Sequence, residues 1–214
     1  VSGPLRVAVP KGAIFEDALR VLEGAGLPAG ILRENGRRLV HEREGVRFIV
    51  SRPSDVPVFV EYGAADVGIV GKDVLDEQEP NVIELADLGV GACRMVLAVP
   101  EKTAGRVQER ISHAEVIRVA TKFPRTARRY FEGMGRQAEI IALHGSIELA
   151  PLVGLAEGIV DLTATGTTLR ENNLVVLDEI SRSTARLIAN RGSYRLRNAE
   201  VAALMERMER SILG

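Results

Sequence analysis

The amino-acid sequence predicts an α/β protein in which helices cover the apolar faces of the sheets. Three observations carry that expectation. Short β-branched runs alternate with segments whose apolar residues recur at helical spacing, several of those runs stop at Pro or Gly, and 46% of the 214 residues are hydrophobic, enough to build helix-covered cores.

Leu5 to Val9 reads as a strand closed by Pro10, and Ile14, Ala18 and Leu22 then mark one helix face, with Gly24 and Gly26 as stop signals. The polar stretch from Arg33 to Arg52 ends in a strand over Val46 to Val50. Asp55 to Tyr62 holds a short helix, Asp66 to Val70 a buried strand, and Gly71 a turn. Further strands are expected at Met95 to Val99, Val116 to Ala120, Ala138 to Ala142 and Ile159 to Leu162, with a helix starting between Thr126 and Phe131. Leu149, Leu152, Val153 and Ala156 give Ser146 to Ala156 a helical apolar pattern, interrupted by Pro151. The tail carries Val201, Leu204, Met205, Met208 and Ile212 on one stripe, with Asn198 available as a cap; this is a core or subunit-contact face in preference to a membrane-binding one.

Composition excludes several function classes. Twenty-eight basic against 29 acidic residues leave a net charge of −1, and with no Trp, three Tyr and five Phe there is neither a basic track nor a series of stacking platforms for nucleic acid. No run nears the roughly 20 apolar residues of a membrane span, and the start lacks a secretory pattern, so a cytoplasmic location is expected. Cys93 stands alone, and His41, His113 and His144 have no zinc spacing. Charge is nevertheless uneven: residues 54–91 hold nine acidic and one basic residue, and residues 118–136 six basic and one acidic. Such patches meet a charged substrate or a partner, or are solvated helix faces.

The chemistry concentrates in Asp161 to Leu169, directly after a strand. Gly166 can turn the chain so that successive amides point one way, and Thr163, Ala164, Thr165, Thr167 and Thr168 then surround a phosphate with N–H and hydroxyl donors. The competing reading is a plain polar connection. Asp161 would repel a phosphate, so its presence favours a contact with ribose hydroxyls or magnesium-bound water, or else a turn cap. The segment matches neither the dinucleotide fingerprint nor the Walker A loop. Lys11 and Gly12 follow the first strand and Arg52 follows the strand over Val46 to Val50, where cations can meet a diphosphate or simply face water. Asp66 to Gly71 is either a substrate-facing bend or strand packing, and Glu148 either a ribose or magnesium contact or a helix-entrance carboxylate. His144 and Cys93 lack a reactive partner.

Taken together, Val7-Ala8-Val9-Pro10-Lys11-Gly12, Arg52-Pro53-Ser54-Asp55-Val56-Pro57, Asp66-Val67-Gly68-Ile69-Val70-Gly71 and Asp161 to Leu169 resemble the ATP phosphoribosyltransferase family. Asp87 to Arg94 and Gly145 to Leu152 extend the likeness over nearly the whole chain. The resemblance implies transfer of phosphoribosyl from phosphoribosyl pyrophosphate to ATP, the first step of histidine biosynthesis, with Mg2+ required. It implies the family's short form, which works with a separate regulatory subunit related to histidyl-tRNA synthetase, in homo- and hetero-oligomers. The implied fold is two-lobed, like type II periplasmic binding proteins, with a central cleft: residues 1–92 as one lobe, 93–176 as a second lobe carrying the phosphoribosyl-pyrophosphate loop, and 177–214 returning to the first.

By the same resemblance, Thr163 to Thr168 surround the ribose 5-phosphate, Asp161 approaches the ribose, Glu148 lies nearby, and Lys11 and Arg52 face the nucleotide or diphosphate. Ala13 departs from the family pattern, which commonly has Arg there; Arg52 or Arg94 is the candidate replacement. Two other readings stand beside this one: a nucleobase phosphoribosyltransferase, on the loop alone, and a noncatalytic binding or assembly protein.

Overall fold

A computed structural model describes residues 3–34 and 38–213, so three residues of the polar stretch, 35–37, lie outside the described residues. The chain folds as two compact units, one drawn from the residues up to Ala92 and from Thr184 onward, the other from Cys93–Ser183.

The first unit opens with β1 (Leu5–Pro10), α1 (Phe15–Gly24), α2 (Ile31–Glu34), β2 (Val40–Arg43), β3 (Val46–Ser51), α3 (Val56–Glu61), β4 (Val67–Gly71), α4 (Lys72–Gln78) and β5 (Ile83–Asp87). The second unit runs β6 (Cys93–Pro100), α5 (Ala104–Ser112), β7 (Ile117–Thr121), α6 (Pro124–Gly133), β8 (Ala138–Ala142), α7 (Leu149–Leu152), β9 (Gly158–Thr163), α8 (Thr167–Glu171) and β10 (Leu174–Ser183). The chain then returns as β11 (Ala185–Ala189), α9 (Arg191–Leu196) and α10 (Asn198–Leu213).

In the first unit the sheet order is β2-β3-β1-β4-β11-β5, with β1 parallel to β3 and β4, and β11 antiparallel to β4 and β5. Central strands covered on both faces read as continuous apolar runs, and their residues divide by parity. Val7, Val9, Phe48, Val67, Ile69 and Leu187 pack with Leu19 and Leu22 of α1 and with Val201, Leu204 and Met208 of α10. Ala8, Val70 and Ile188 pack on the other face with Val56 and Val60 of α3. The apolar stripe of the tail is therefore a core face of its own unit.

In the second unit the order is β10-β6-β9-β7-β8, with β9, β7 and β8 parallel and β6 antiparallel to both β9 and β10. Met95, Leu97, Val99, Val119 and Val160 meet Val107 of α5 and Ala127 and Phe131 of α6. Val96, Ala98, Ala120 and Ile159 face the opposite way, toward Ile147, Ala150 and Leu169.

Several expectations need correction. Residues 177–183, read as part of the returning segment, complete β10 and pair with β6 as far as Ser183 opposite Cys93. The helical pattern over Ser146 to Ala156 yields only one turn, α7, because Pro151 and the positive-φ Gly154 close it. Leu149, Leu152 and Val153 are accordingly exposed, and the buried contacts come from Ile147, Ala150 and Ala156. Gly71 leads straight into α4. Asn198 is the first residue of α10, while the capping asparagine is Asn190, whose Oδ1 accepts from the amides of Gly192 and Ser193, both at 2.9 Å.

Candidate active site

The threonine-rich segment joins β9 to α8 through Gly166, which lies at φ +74° and ψ 8°, a left-handed conformation that glycine adopts without a Cβ clash. Its amide donates to Thr163 Oγ1 at 2.9 Å, so the almost buried Thr163 closes the turn from inside. The hydroxyls of Thr165 and Thr167 lie 3.0 Å apart. Arg170 braces the turn from α8, donating to Thr165 O at 3.0 Å and Thr167 Oγ1 at 3.1 Å. The amides of Thr168 and Leu169 fall in the first helical turn, where no preceding carbonyl is placed to accept from them. Leu169 anchors this turn in the core.

This turn forms the wall of a cavity of about 240 Å³, lined by residues 161–169 and by Glu148. Its size is below the range of roughly 300–1,000 Å³ typical of whole small-molecule pockets, and suits one end of a larger substrate. Asp161 lies on β9 two residues after Ile159, hence on the face shared with α7 and α8, and Glu148 sits at the entrance of α7 on that same side. Burial pushes the Asp161 carboxyl above its ordinary range and the charge of Glu148 adds to this, while the Leu162 amide, donating at 2.9 Å, and the charge of Lys122 pull the other way. Asp161 is thus a strained carboxylate beside an anion-type turn, an arrangement that makes sense when a polar ligand supplies hydroxyls or a cation.

Arg94 lies on β6 directly opposite Thr163, one strand from the turn. Its guanidinium is paired with Glu179 at 3.1 Å, so the charge is shared within the sheet.

The remaining candidates belong to the first unit. Lys11, Gly12, Arg52 and Gly71 gather at the C-terminal ends of β1, β3 and β4, the end at which open parallel sheets bind ligands. Lys11 and Arg52 are exposed, Lys11 N–H donates to Ser51 O at 2.7 Å, and Gly12 has φ +87° with open space where a Cβ would stand.

Asp66 is at the opposite end of β4 and is not a substrate-facing residue. It is 1% exposed, ion-paired with Arg6 at 2.6 Å, and accepts from Ser193 Oγ at 2.6 Å and the Arg6 amide at 2.9 Å. Every oxygen is committed inside the fold. Gly68 serves packing: a Cβ there would stand 2.9 Å from Val56 and Val60 of α3. His41 is likewise structural, buried with Nε2 3.0 Å from Arg38 O.

A family model described as HisG: ATP phosphoribosyltransferase matches residues 52–210. The chain is 81% identical to the ATP phosphoribosyltransferase of Rubrobacter xylanophilus over 201 residues, 94% of this chain and 93% of that protein. The chain belongs to the ATP phosphoribosyltransferase family. It is an enzyme of that activity, transferring phosphoribosyl to ATP in the first step of histidine biosynthesis. Among solved structures it is similar to the ATP phosphoribosyl transferase (HisG:HisZ) complex from Thermotoga maritima, with a TM-score of 0.79 and 36% identity, covering 97% of this chain and 98% of that one.

Beyond the ATP phosphoribosyltransferase family, the periplasmic aliphatic sulphonate binding protein SsuA from Escherichia coli matches 99% of this chain and 73% of its own, with a TM-score of 0.66 and 12% identity. That likeness is one of fold alone, and it bears out the expectation of a two-lobed α/β fold like the periplasmic binding proteins. The nucleobase and noncatalytic readings are set aside by family membership. No helix among the described residues is long and apolar enough to cross a membrane.

One residue of this turn has no signal in the sequence. Arg170, which braces the turn, is invisible until α8 places it three to five residues from its acceptors on one helix face.

Proposed function

We propose that Thr163 to Thr168 cradle the 5-phosphate of phosphoribosyl pyrophosphate while Asp161, with Glu148 beside it, accepts hydrogen bonds from the ribose hydroxyls. The observation that carries this reading is the left-handed Gly166 at the head of a hydroxyl-lined cavity whose charged lining, among the described residues, consists of these two carboxylates. Lys11 and Arg52 supply positive charge to the nucleotide or diphosphate, with Gly12 leaving the backbone open to close approach. Arg52 or Arg94 supplies the charge of the arginine that Ala13 replaces.

Adenine N1 uses its own lone pair to form the bond to ribose C1 as the C1–O bond to diphosphate breaks, which inverts the anomeric centre. No side chain has to remove a proton. The protein's part is to orient the two reactants and to stabilise the charge that collects on the departing diphosphate. Mg2+ fits this donor set: Glu148 and Asp161 would offer it hard oxygen atoms, directly or through water, and no group of three His, Cys, Asp or Glu among the described residues could hold it alone. When bound, it neutralises diphosphate charge.

The likeness to the Thermotoga maritima HisG:HisZ complex supports a separate partner subunit; in this reading that partner is the regulatory subunit related to histidyl-tRNA synthetase, and the chain acts in the cytoplasm within homo- and hetero-oligomers. The test is ATP turnover with phosphoribosyl pyrophosphate and Mg2+, followed by pyrophosphate release with and without that subunit. Gly166→Ala is expected to raise the KM for phosphoribosyl pyrophosphate at least tenfold; an unchanged KM would remove the turn from the site.

A further inference from the structure

The cavity presents an electrostatic problem. Among the described residues its lining contains Glu148 and Asp161 and no basic side chain, yet the ligand assigned to it carries several negative charges. The nearby arginines are engaged: Arg170 holds the turn through Thr165 and Thr167, and Arg94 is paired with Glu179.

Strand register points to the missing cation. β7 runs parallel to β9 with Ala120 beside Ile159 and Thr121 beside Val160, so the next pair of positions is Lys122 and Asp161. Ala120 and Ile159 share the core that faces α7 and α8, while Val119 and Val160 share the other. Alternation therefore starts Lys122 on the Asp161 side of the sheet. Thr121, wholly buried, accepts from the Phe123 amide at 2.8 Å through its Oγ1, and this local turn stops the strand and leaves Lys122 at its exposed C-terminal lip. Lys122 has no ion pair among the described residues, and its charge already acts on Asp161.

We propose that Lys122 is a further substrate-binding residue of this enzyme, its ammonium meeting a phosphate of the phosphorylated sugar beside Asp161. The inference rests on the assignment of the Thr163 to Thr168 turn to phosphoribosyl pyrophosphate. Lysine suits the place, because a point charge on a flexible stem at a strand end can follow a phosphate. It also offsets the two carboxylates, which by themselves would disfavour an anionic ligand.

The experiment measures phosphoribosyl pyrophosphate binding by calorimetry, with Mg2+, for the unaltered chain, Lys122→Met, Lys122→Arg and Gly166→Ala, each checked for thermal stability. Lys122→Met is expected to weaken binding by about tenfold or more with an unchanged melting temperature, Lys122→Arg to recover most of the loss, and steady-state kinetics to show the change in the KM for phosphoribosyl pyrophosphate rather than for ATP. Normal binding by Lys122→Met alongside weakened binding by Gly166→Ala overturns the lysine's role and leaves the turn in place. Normal binding by both overturns the turn assignment and the inference with it.

Discussion

Asp161 shows how a residue can be placed against its own stability. A carboxylate whose burial and acidic neighbour push its pKa up binds a proton more tightly in the folded than in the unfolded chain, so at neutral pH its ionised form opposes folding. Asp161→Asn is therefore expected to leave the melting temperature equal or higher while turnover falls at least tenfold, the pattern of a site residue retained for function. Parallel thermal unfolding and kinetics check this, and a destabilised variant with normal turnover would make Asp161 structural. At this scale the turn was legible in the sequence, because Gly after a β-branched run and among threonines has few other uses. Asp66 was not, since a carboxylate next to a strand looks the same whether Arg6 and Ser193 surround it or a ligand does.

Among the elements, α8 is the smallest and the most consequential. Five residues cannot hold a helix in isolation, so its one turn is stable because Leu169 is buried with Ile159 and Leu174. Leu169→Ala is expected to cost about 2–3 kcal/mol by chemical denaturation. It should also weaken phosphoribosyl pyrophosphate binding, although the side chain faces the core. Unchanged binding would mean that the turn holds its shape without α8. Element patterns were readable where burial was one-sided or complete, as in β1, β6, β9 and α10. They failed at α7, where Pro151 and Gly154 overrode the apolar spacing, and at β10, an edge strand whose register shifts at Val176/Asp178 and Glu179/Ser181 break strict alternation.

For the whole molecule, residues far apart in sequence secure the first unit. Arg6 of β1 and Ser193 of α9 converge on the buried Asp66 that precedes β4, with Arg197 4.0 Å from Asp66. Burial alone would raise the Asp66 pKa, but the hydrogen bonds from Arg6 and Ser193 and the Arg6 amide outweigh it and the net direction is down. A depressed carboxylate contributes stability above its unfolded pKa, about 3.9, and loses it as pH falls through the lower folded value. Asp66→Asn is expected to lose about 3 kcal/mol at pH 7, a difference that narrows below about pH 4. Denaturant titrations at pH 7 and pH 3 measure it, and a pH-independent difference would discount the ionic contribution. The acidic run over residues 54–91 resolves in the same way: Glu84 and Asp87 pair with Arg186, and Lys72 joins Asp76 to Glu84.

Fold class, family and the tight turn at Gly166 can be read from the residues alone, because each depends on local matters: side-chain periodicity, a glycine's access to positive φ and the order of short motifs. Only tertiary structure decided that Asp66 is an internal ion-pair partner, that Arg170 braces the turn and that Lys122 stands beside Asp161. Those outcomes depend on which strands become neighbours and in what register, and neighbourhood across 40 or 130 residues leaves no mark on the spacing of the residues themselves.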